Sequence, residues 1–183
     1  MEEKCLDELI VFTSGKNLTR MKEQKINVYT QEDFEKDLHC INEPDGKACC
    51  IINLIKSKAA PISKATTDKL ITSNFLCCQF DEQILDQWYF CYQFNEGREV
   101  QQQIAMYHQG TTLSVKKLTV RTIGELKIPL PDIKRQQTIG GMYRQLLIQN
   151  DLMIKQAEDM RKCTLAVIRK IEEDEKWQKV KIY

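Results

Sequence analysis

The sequence predicts an α+β protein: a globular mixed domain over residues 1–131, then one long C-terminal helix over 132–183 that forms a coiled coil with a partner. Three observations carry this. Up to about residue 130 the pattern changes every eight to fifteen residues, and most turn signals lie there. Ala48–Ile55 and Asn74–Phe80 are apolar runs short enough to be buried strands. From Met142 onward, 42 residues pass without a glycine or a proline.

The elements follow in order. Ile26–Tyr29 reads as a short strand. Thr30-Gln31-Glu32-Asp33 resembles a capping box, and Phe34 and Leu38 share one face of the short acidic helix it would start. Asp45-Gly46 marks a turn before the first apolar run. Asp81 is positioned to cap a helix running to about Asn95, with Gly97 just past its end. Ile84, Leu85, Trp88, Cys91 and Tyr92 would be its apolar stripe, which makes Trp88-Tyr89-Phe90 core rather than a base-stacking platform. A second helix spans about Glu99 to Tyr107 and ends at Gly110. Thr122-Ile123-Gly124-Glu125 looks like another capping box, on a short turn of helix, and Lys127–Leu130 like a strand whose Pro129 suits only an edge or an exit.

The long helix has a seam. Tyr143, Leu146, Asn150, Met153, Ala157, Met160, Thr164, Val167 and Ile171 recur at alternating spacings of three and four, with Leu147, Ile154 and Ile168 widening the stripe. At ~1.5 Å per residue, residues 142–177 would span roughly 54 Å. A domain of this size cannot cover that length, and the chain supplies no second long helix. The stripe is therefore predicted to pair with another chain, with Asn150 and Thr164 setting register.

Composition narrows the function. The 183 residues carry 27 Lys+Arg against 26 Asp+Glu, a net charge of +1, which excludes a generally basic nucleic-acid coat but not a local patch. The N-terminus lacks a signal-peptide pattern and no apolar run approaches the ~20 residues of a membrane span, so a soluble, cytoplasmic protein is expected. Eight cysteines show no C-x-x-C spacing. Of possible metal ligands, His39-Cys40 with Cys49-Cys50 is the best set and a poor one; free thiols serving as small core residues, with no metal, are expected. No phosphate loop, dinucleotide fingerprint, metalloprotease motif or nucleophile elbow occurs, and neither His39 nor His108 has a visible nucleophile to serve, so no catalytic activity and no cofactor are expected.

One basic patch stands out. Lys56, Lys58, Lys64 and Lys69 fall within fourteen residues holding a single acid, Asp68, in a segment that reads as an exposed loop or hairpin. Lys116, Lys117 and Arg121 form a second set. Such cations would meet DNA phosphates, while Ser57, Ser63, Thr66, Thr67 or Gln109 would read bases. The acidic stretch Glu32–Asp45 must then face away from the DNA.

Two segments resemble a known family. They are Gly110-Thr111-Thr112-Leu113-Ser114 and the run from Ile123 to Ile139, which reads IGELKIPLPDIKRQQTI. The second resembles the junction between target recognition domain and helix in specificity (S) subunits of type I restriction–modification systems, characteristically I-P-L-P-P-L-x-E-Q-x-x-I. Ile128, Pro129, Leu130, Pro131, Gln136 and Ile139 fall at matching positions, and Leu6-Asp7-Glu8-Leu9 with Gly15 is similar to the usual start of such a domain. Asp132 replaces the second proline and is placed to cap the helix from Ile133; Lys134-Arg135 replace acidic residues; Gly140-Gly141 weakens the first turns as a possible hinge.

Family members usually carry two recognition domains and two long helices in one chain. The resemblance therefore implies a half-length, non-catalytic, DNA-binding subunit. Two copies would pair through their helices as a homodimer, read two inverted half-sites of double-stranded DNA and direct methyltransferase and restriction subunits. The alternative is an interaction protein of the same fold, without strong DNA binding, that pairs with other specificity subunits.

Overall fold

The computed structural model describes residues 3–17, 27–40, 43–46, 49–109 and 118–180. In chain order the elements are β1 (Glu3–Cys5), α1 (Leu6–Leu9), β2 (Ile10–Ser14), α2 (Gln31–Leu38), β3 (Cys49–Asn53), β4 (Lys58–Pro61), β5 (Phe75–Phe80), α3 (Gln87–Glu96), α4 (Arg98–Gln109), α5 (Val120–Gly124), β6 (Lys127–Pro129) and α6 (Ile133–Val180). The mixed domain with a long C-terminal helix is the fold class the sequence predicts.

Four strands form an antiparallel sheet in the order β2-β5-β3-β4. Of its two central strands, β3 is buried on both faces along its whole length, which is why it reads as an unbroken apolar run rather than an alternation; β5 is exposed at Gln79 and partly exposed at Cys77. Cys50 and Ile52 of β3, with Leu76 and Cys78 of β5, face the main core built by α3, α4 and Tyr143 of α6. Cys49, Ile51, Phe75 and Cys77 face a second, smaller core closed by Phe34 of α2 and by Tyr29. Pro61 lies in β4, the edge strand, where a missing N–H is tolerated. A second sheet of two strands pairs β1 antiparallel with β6, bringing Lys4 opposite Ile128 and tying the start of the chain to the entrance of the long helix.

The caps follow the sequence with shifts. Thr30 and Asp33 form the expected capping box on α2. The α3 helix starts later than expected: Asp81 accepts from the Gln83 N–H in a preceding turn, and Asp86 is the N-cap, accepting from the Tyr89 N–H at 2.8 Å. With two aspartates in front of one apolar run, the sequence pattern does not say which one the turn consumes. Ile84 is consequently exposed, off the stripe assigned to it, while Trp88, Tyr89 and Phe90 are core. On α5 the box is made by Thr119 and Thr122, three residues earlier than Thr122-Glu125. Val28 forms only an isolated bridge to Leu70 in place of the predicted strand, whose Ile26 lies outside the described residues.

The helix α6 runs unbroken for 48 residues, about 72 Å at ~1.5 Å per residue, with Asp132 accepting from the Arg135 N–H as its cap. Gly140 is not a hinge. A Cβ there would stand 2.4 Å from Asp86 Oδ1 and 2.7 Å from the Tyr89 nitrogen, so this glycine is what lets α6 lie against the start of α3. No helix among the described residues is long and apolar enough to cross a membrane.

Candidate nucleic-acid interface

The basic segment is a hairpin rather than an open loop. β3 turns into β4 through residues 54–57: Asn53 Oδ1 accepts from the N–H groups of Ile55 and Lys56, and Ser57 takes a left-handed conformation at φ 53°. Ala59 and Ala60 are wholly buried, contrary to an exposed reading of the whole segment; although β4 is an edge strand, they pack one to each face of the sheet, each against its own core. The chain then forms a turn in which Ser63 and Thr66 bond to each other, and Thr66 Oγ1 donates to Asp37 Oδ2 at 2.8 Å. Both hydroxyls are buried and spent on this network, which removes Ser63 and Thr66 from the base-reading set. Thr67 donates to Asp45, Ser57 lines an open cleft, and the Gln109 side chain lies outside the described residues.

Each described cation of the two basic sets meets a carboxylate. Lys56 Nζ is 2.6 Å from Glu35, Lys58 Nζ 3.2 Å from Glu96, Lys64 Nζ 3.0 Å from Glu43 and Lys69 Nζ 2.7 Å from Asp33. Arg121 Nε lies 3.0 Å from Glu125. Lys116 and Lys117 lie outside the described residues. The acidic stretch therefore does not face away from the lysines. It supplies three of their partners, because α2 packs on the same side of the sheet as the turn that carries Lys64 and Lys69. The Lys58 ammonium also donates to the carbonyl of Asn95 at the end of α3. Lys69 and Asp33 keep only 20% and 12% of their side-chain surface exposed. Burial pushes the Asp33 carboxyl up, but hydrogen bonds from Lys69 and Thr30 outweigh it and leave its pKa below the ordinary value. Glu35 behaves alike: burial is outweighed by Lys56 and Gln31, and its pKa is lowered.

The turn and α4 enclose a cleft of about 600 Å³ lined by Lys56, Ser57, Lys58 and Gln101 over an apolar floor that includes Ile104. Sequence spacing could not show it, since Ser57 and Gln101 are 44 positions apart and meet only because α4 returns beside the hairpin.

The second candidate feature is the stripe of α6. Tyr143 does not belong to it. It is 6% exposed, packs edge-on against Tyr92 and has its hydroxyl bonded to Asn95 Nδ2, so burial pushes its pKa up to about 12. The same heptad position thus serves the chain's own domain near the helix start and solvent farther on. Leu146, Asn150, Met153, Ala157, Met160, Thr164, Val167 and Ile171 are all exposed, Met153 at 70% and Met160 at 65%. Beside the base of this stripe lies an apolar groove of about 760 Å³ lined by Tyr92, Ile139, Met142 and Leu146, which heptad spacing does not reveal because Tyr92 comes from α3.

No family model and no curated protein matches the sequence. Among solved structures, the chain is similar to the HsdS subunit from Thermoanaerobacter tengcongensis, with a TM-score of 0.55 and 15% identity, over 85% of this chain and 39% of that one. The chain has the fold of a type I specificity subunit. It spans about two fifths of the length of the solved chains it matches. A type I restriction–modification S subunit from M. genitalium is also similar, at 16% identity and a TM-score of 0.45, over 85% of this chain and 41% of that one. Within this fold, Gln136 and Gly140 sit where the long helix meets the domain, Gln136 inside the segment whose sequence resembles the specificity-subunit junction and Gly140 just after it.

Proposed function

We propose that the protein is a non-catalytic, DNA-binding specificity subunit of the type I restriction–modification kind. Two copies pair through α6, each domain reads one half of a split inverted target, and the pair directs methyltransferase and restriction subunits. The observation that carries the reading is α6 itself: on a fold shared with a specificity subunit, it projects beyond its domain with an apolar stripe exposed from Leu146 to Ile171. An exposed apolar surface of that length marks an interaction site. The span of about two fifths of a solved relative suits a unit that supplies one domain and one helix. Twofold pairing of two such units would place two domains at opposite ends of a helical spacer.

On the DNA side the reading rests on the hairpin turn and its cleft, lined by Lys56 and Lys58, with Lys64 in the turn after β4 and Lys69 and Arg121 as further candidates. Lys116 and Lys117 are proposed from sequence alone. The test is a titration of the whole chain against random duplex DNA at low and moderate salt, beside light scattering. The expected result is a dimer with salt-sensitive background affinity. The second reading, an interaction protein without strong DNA binding, is favoured by the carboxylate at every described cation of the two basic sets. It predicts the same dimer or a mixed pair with another specificity subunit, and no salt-dependent binding.

A further inference from the structure

Five of the eight cysteines lie in or against the central strands, and they fall into two chemically different groups. Cys50, Cys78 and Cys91 are fully buried in the main core, and burial pushes the thiols of Cys50 and Cys78 well up, away from reactivity. Cys49 and Cys77 face the other side of the sheet. β3 and β5 are antiparallel with Ile51 opposite Cys77 and Cys49 opposite Gln79, so the two cysteines are diagonal neighbours on one face. Their sulfurs are 3.2 Å apart. Cys77 is partly exposed, whereas Cys49 is buried beneath it.

We propose that Cys49 and Cys77 form a thiol modification site that peroxide-class oxidants convert reversibly to a disulfide. The assignment stands on the juxtaposition of one reachable sulfur and one buried sulfur on adjacent strands. The thiol chemistry agrees: the hydrogen bond from Cys49 holds the Cys77 thiol below its ordinary value despite burial, which makes Cys77 the nucleophile and Cys49 the resolving thiol.

The step balances. The Cys77 thiolate attacks one peroxide oxygen, the O–O bond breaks, and the leaving hydroxide takes a proton to become water. Cys77 is then a sulfenic acid. The Cys49 thiolate attacks that sulfur, the S–O bond breaks, and the second hydroxide leaves as water. Two thiols lose two protons and two electrons, hydrogen peroxide is reduced to two waters, and one S–S bond forms. Thiol reductants reverse it. The cross-link closes a ring containing Lys56, Lys58, Lys64 and Lys69, so any effect on DNA binding rests on the function proposed above; the chemistry does not.

The experiment treats the native full-length protein with a few equivalents of hydrogen peroxide, alkylates remaining thiols and maps peptides by mass. The expected product is a linked pair of peptides containing Cys49 and Cys77. It should form at least tenfold faster than Cys163, exposed on α6, is oxidised, and be lost on treatment with dithiothreitol. In Cys49→Ser, Cys77 should instead accumulate a sulfenic acid trapped by dimedone. Both thiols remaining alkylatable after Cys163 has reacted, or a linked pair that excludes either residue, overturns the proposal. Because the decisive measurement is on the unsubstituted protein, poor folding of a variant cannot mask the result.

Discussion

The carboxamide of Gln136 is bonded to the N-cap of α3: its Oε1 accepts from the backbone N–H of Asp86 at 3.0 Å. Its Nε2 donates to the carbonyls of Ile84 and Pro131 at 3.0 and 2.8 Å, and the side chain is buried. One residue of the long helix thus satisfies the turn before α3 and the strand exit before α6 together. Gly140, one helical turn on, lets the two helices close around this point. The direction in which α6 leaves the domain is set here, by contacts of Gln136 and Gly140 with the start of α3.

Replacing Gln136 with leucine keeps most of the volume and removes all three bonds. Leaving a fully buried backbone group unpaired costs about 1–3 kcal/mol; these three bonds are only part-buried, so water can replace some of them, and a total loss of about 2–4 kcal/mol is expected in chemical denaturation. An unchanged midpoint at unchanged slope would show that these groups find other partners.

Gly140→Ala should destabilise by about 1–3 kcal/mol, as overpacking does elsewhere, while Gly141→Ala should stabilise or leave stability unchanged. Gly141 has open space around its Cα, and alanine is the better helix former by about 1 kcal/mol. Thermal melts of the two variants check the contrast, and equal effects would show that contact with Asp86 and Tyr89 does not decide the matter.

Much of this was legible in the sequence, and what failed did so for identifiable reasons. β3, β5, α2 and the caps at Thr30 and Asp132 were readable because apolar run length and capping chemistry are local. The register of Tyr143 was not, because a heptad pattern does not say whether a residue packs on its own domain or on a partner. The pairing of Glu35 with Lys56 and of Asp33 with Lys69 was invisible too: 21 and 36 positions separate those residues, and only the packing of α2 on the sheet joins them. Ser63 and Thr66 read as exposed because small hydroxyl residues usually are; the buried carboxylate of Asp37 explains why they are not.

The Asp33–Lys69 pair makes a pH prediction. Asp33 has its folded pKa lowered below the ordinary carboxylate value of 3.8. A depressed carboxylate stabilises the fold above the unfolded pKa, and this contribution is lost as pH falls through the folded one. Stability should thus fall on acidification below about pH 4. Asp33→Asn should be less stable than the parent near neutrality and should lose less between neutrality and pH 3. A parallel acid limb in the two proteins would remove Asp33 from the cause.

Leu146 and Met160 are exposed positions of the α6 stripe, Leu146 at the wall of the groove beside Tyr92 and Met160 farther along the helix. Replacing both with glutamate should give monomers in light scattering with the melting temperature of the domain little changed, since surface substitutions away from special contacts shift stability by about 0.5 kcal/mol or less. Parent protein that is already monomeric at tens of micromolar would sink the pairing through α6.

Lys64 and Glu35 separate the two functional readings, because they should act with opposite sign on DNA binding. Lys64 is exposed, and among the described residues its ammonium pairs with the exposed Glu43, so its removal is a surface change. Lys58 is a poorer probe, since its ammonium also caps the carbonyl of Asn95. If the hairpin meets phosphates, Lys64→Ala weakens binding to all sequences about equally and lowers the salt slope by roughly one per protomer, hence by about two in a symmetric pair. Glu35→Gln removes the charge that holds Lys56 at 2.6 Å, leaving that ammonium for a phosphate; random-duplex affinity should rise several-fold at low salt, with a steeper slope. If α2 and the hairpin instead serve only each other, Glu35→Gln costs some stability and neither substitution changes binding to duplex DNA across a salt series. Opposite shifts identify a DNA surface whose strength is moderated by its own acidic helix. Two flat responses leave the interaction protein as the better reading.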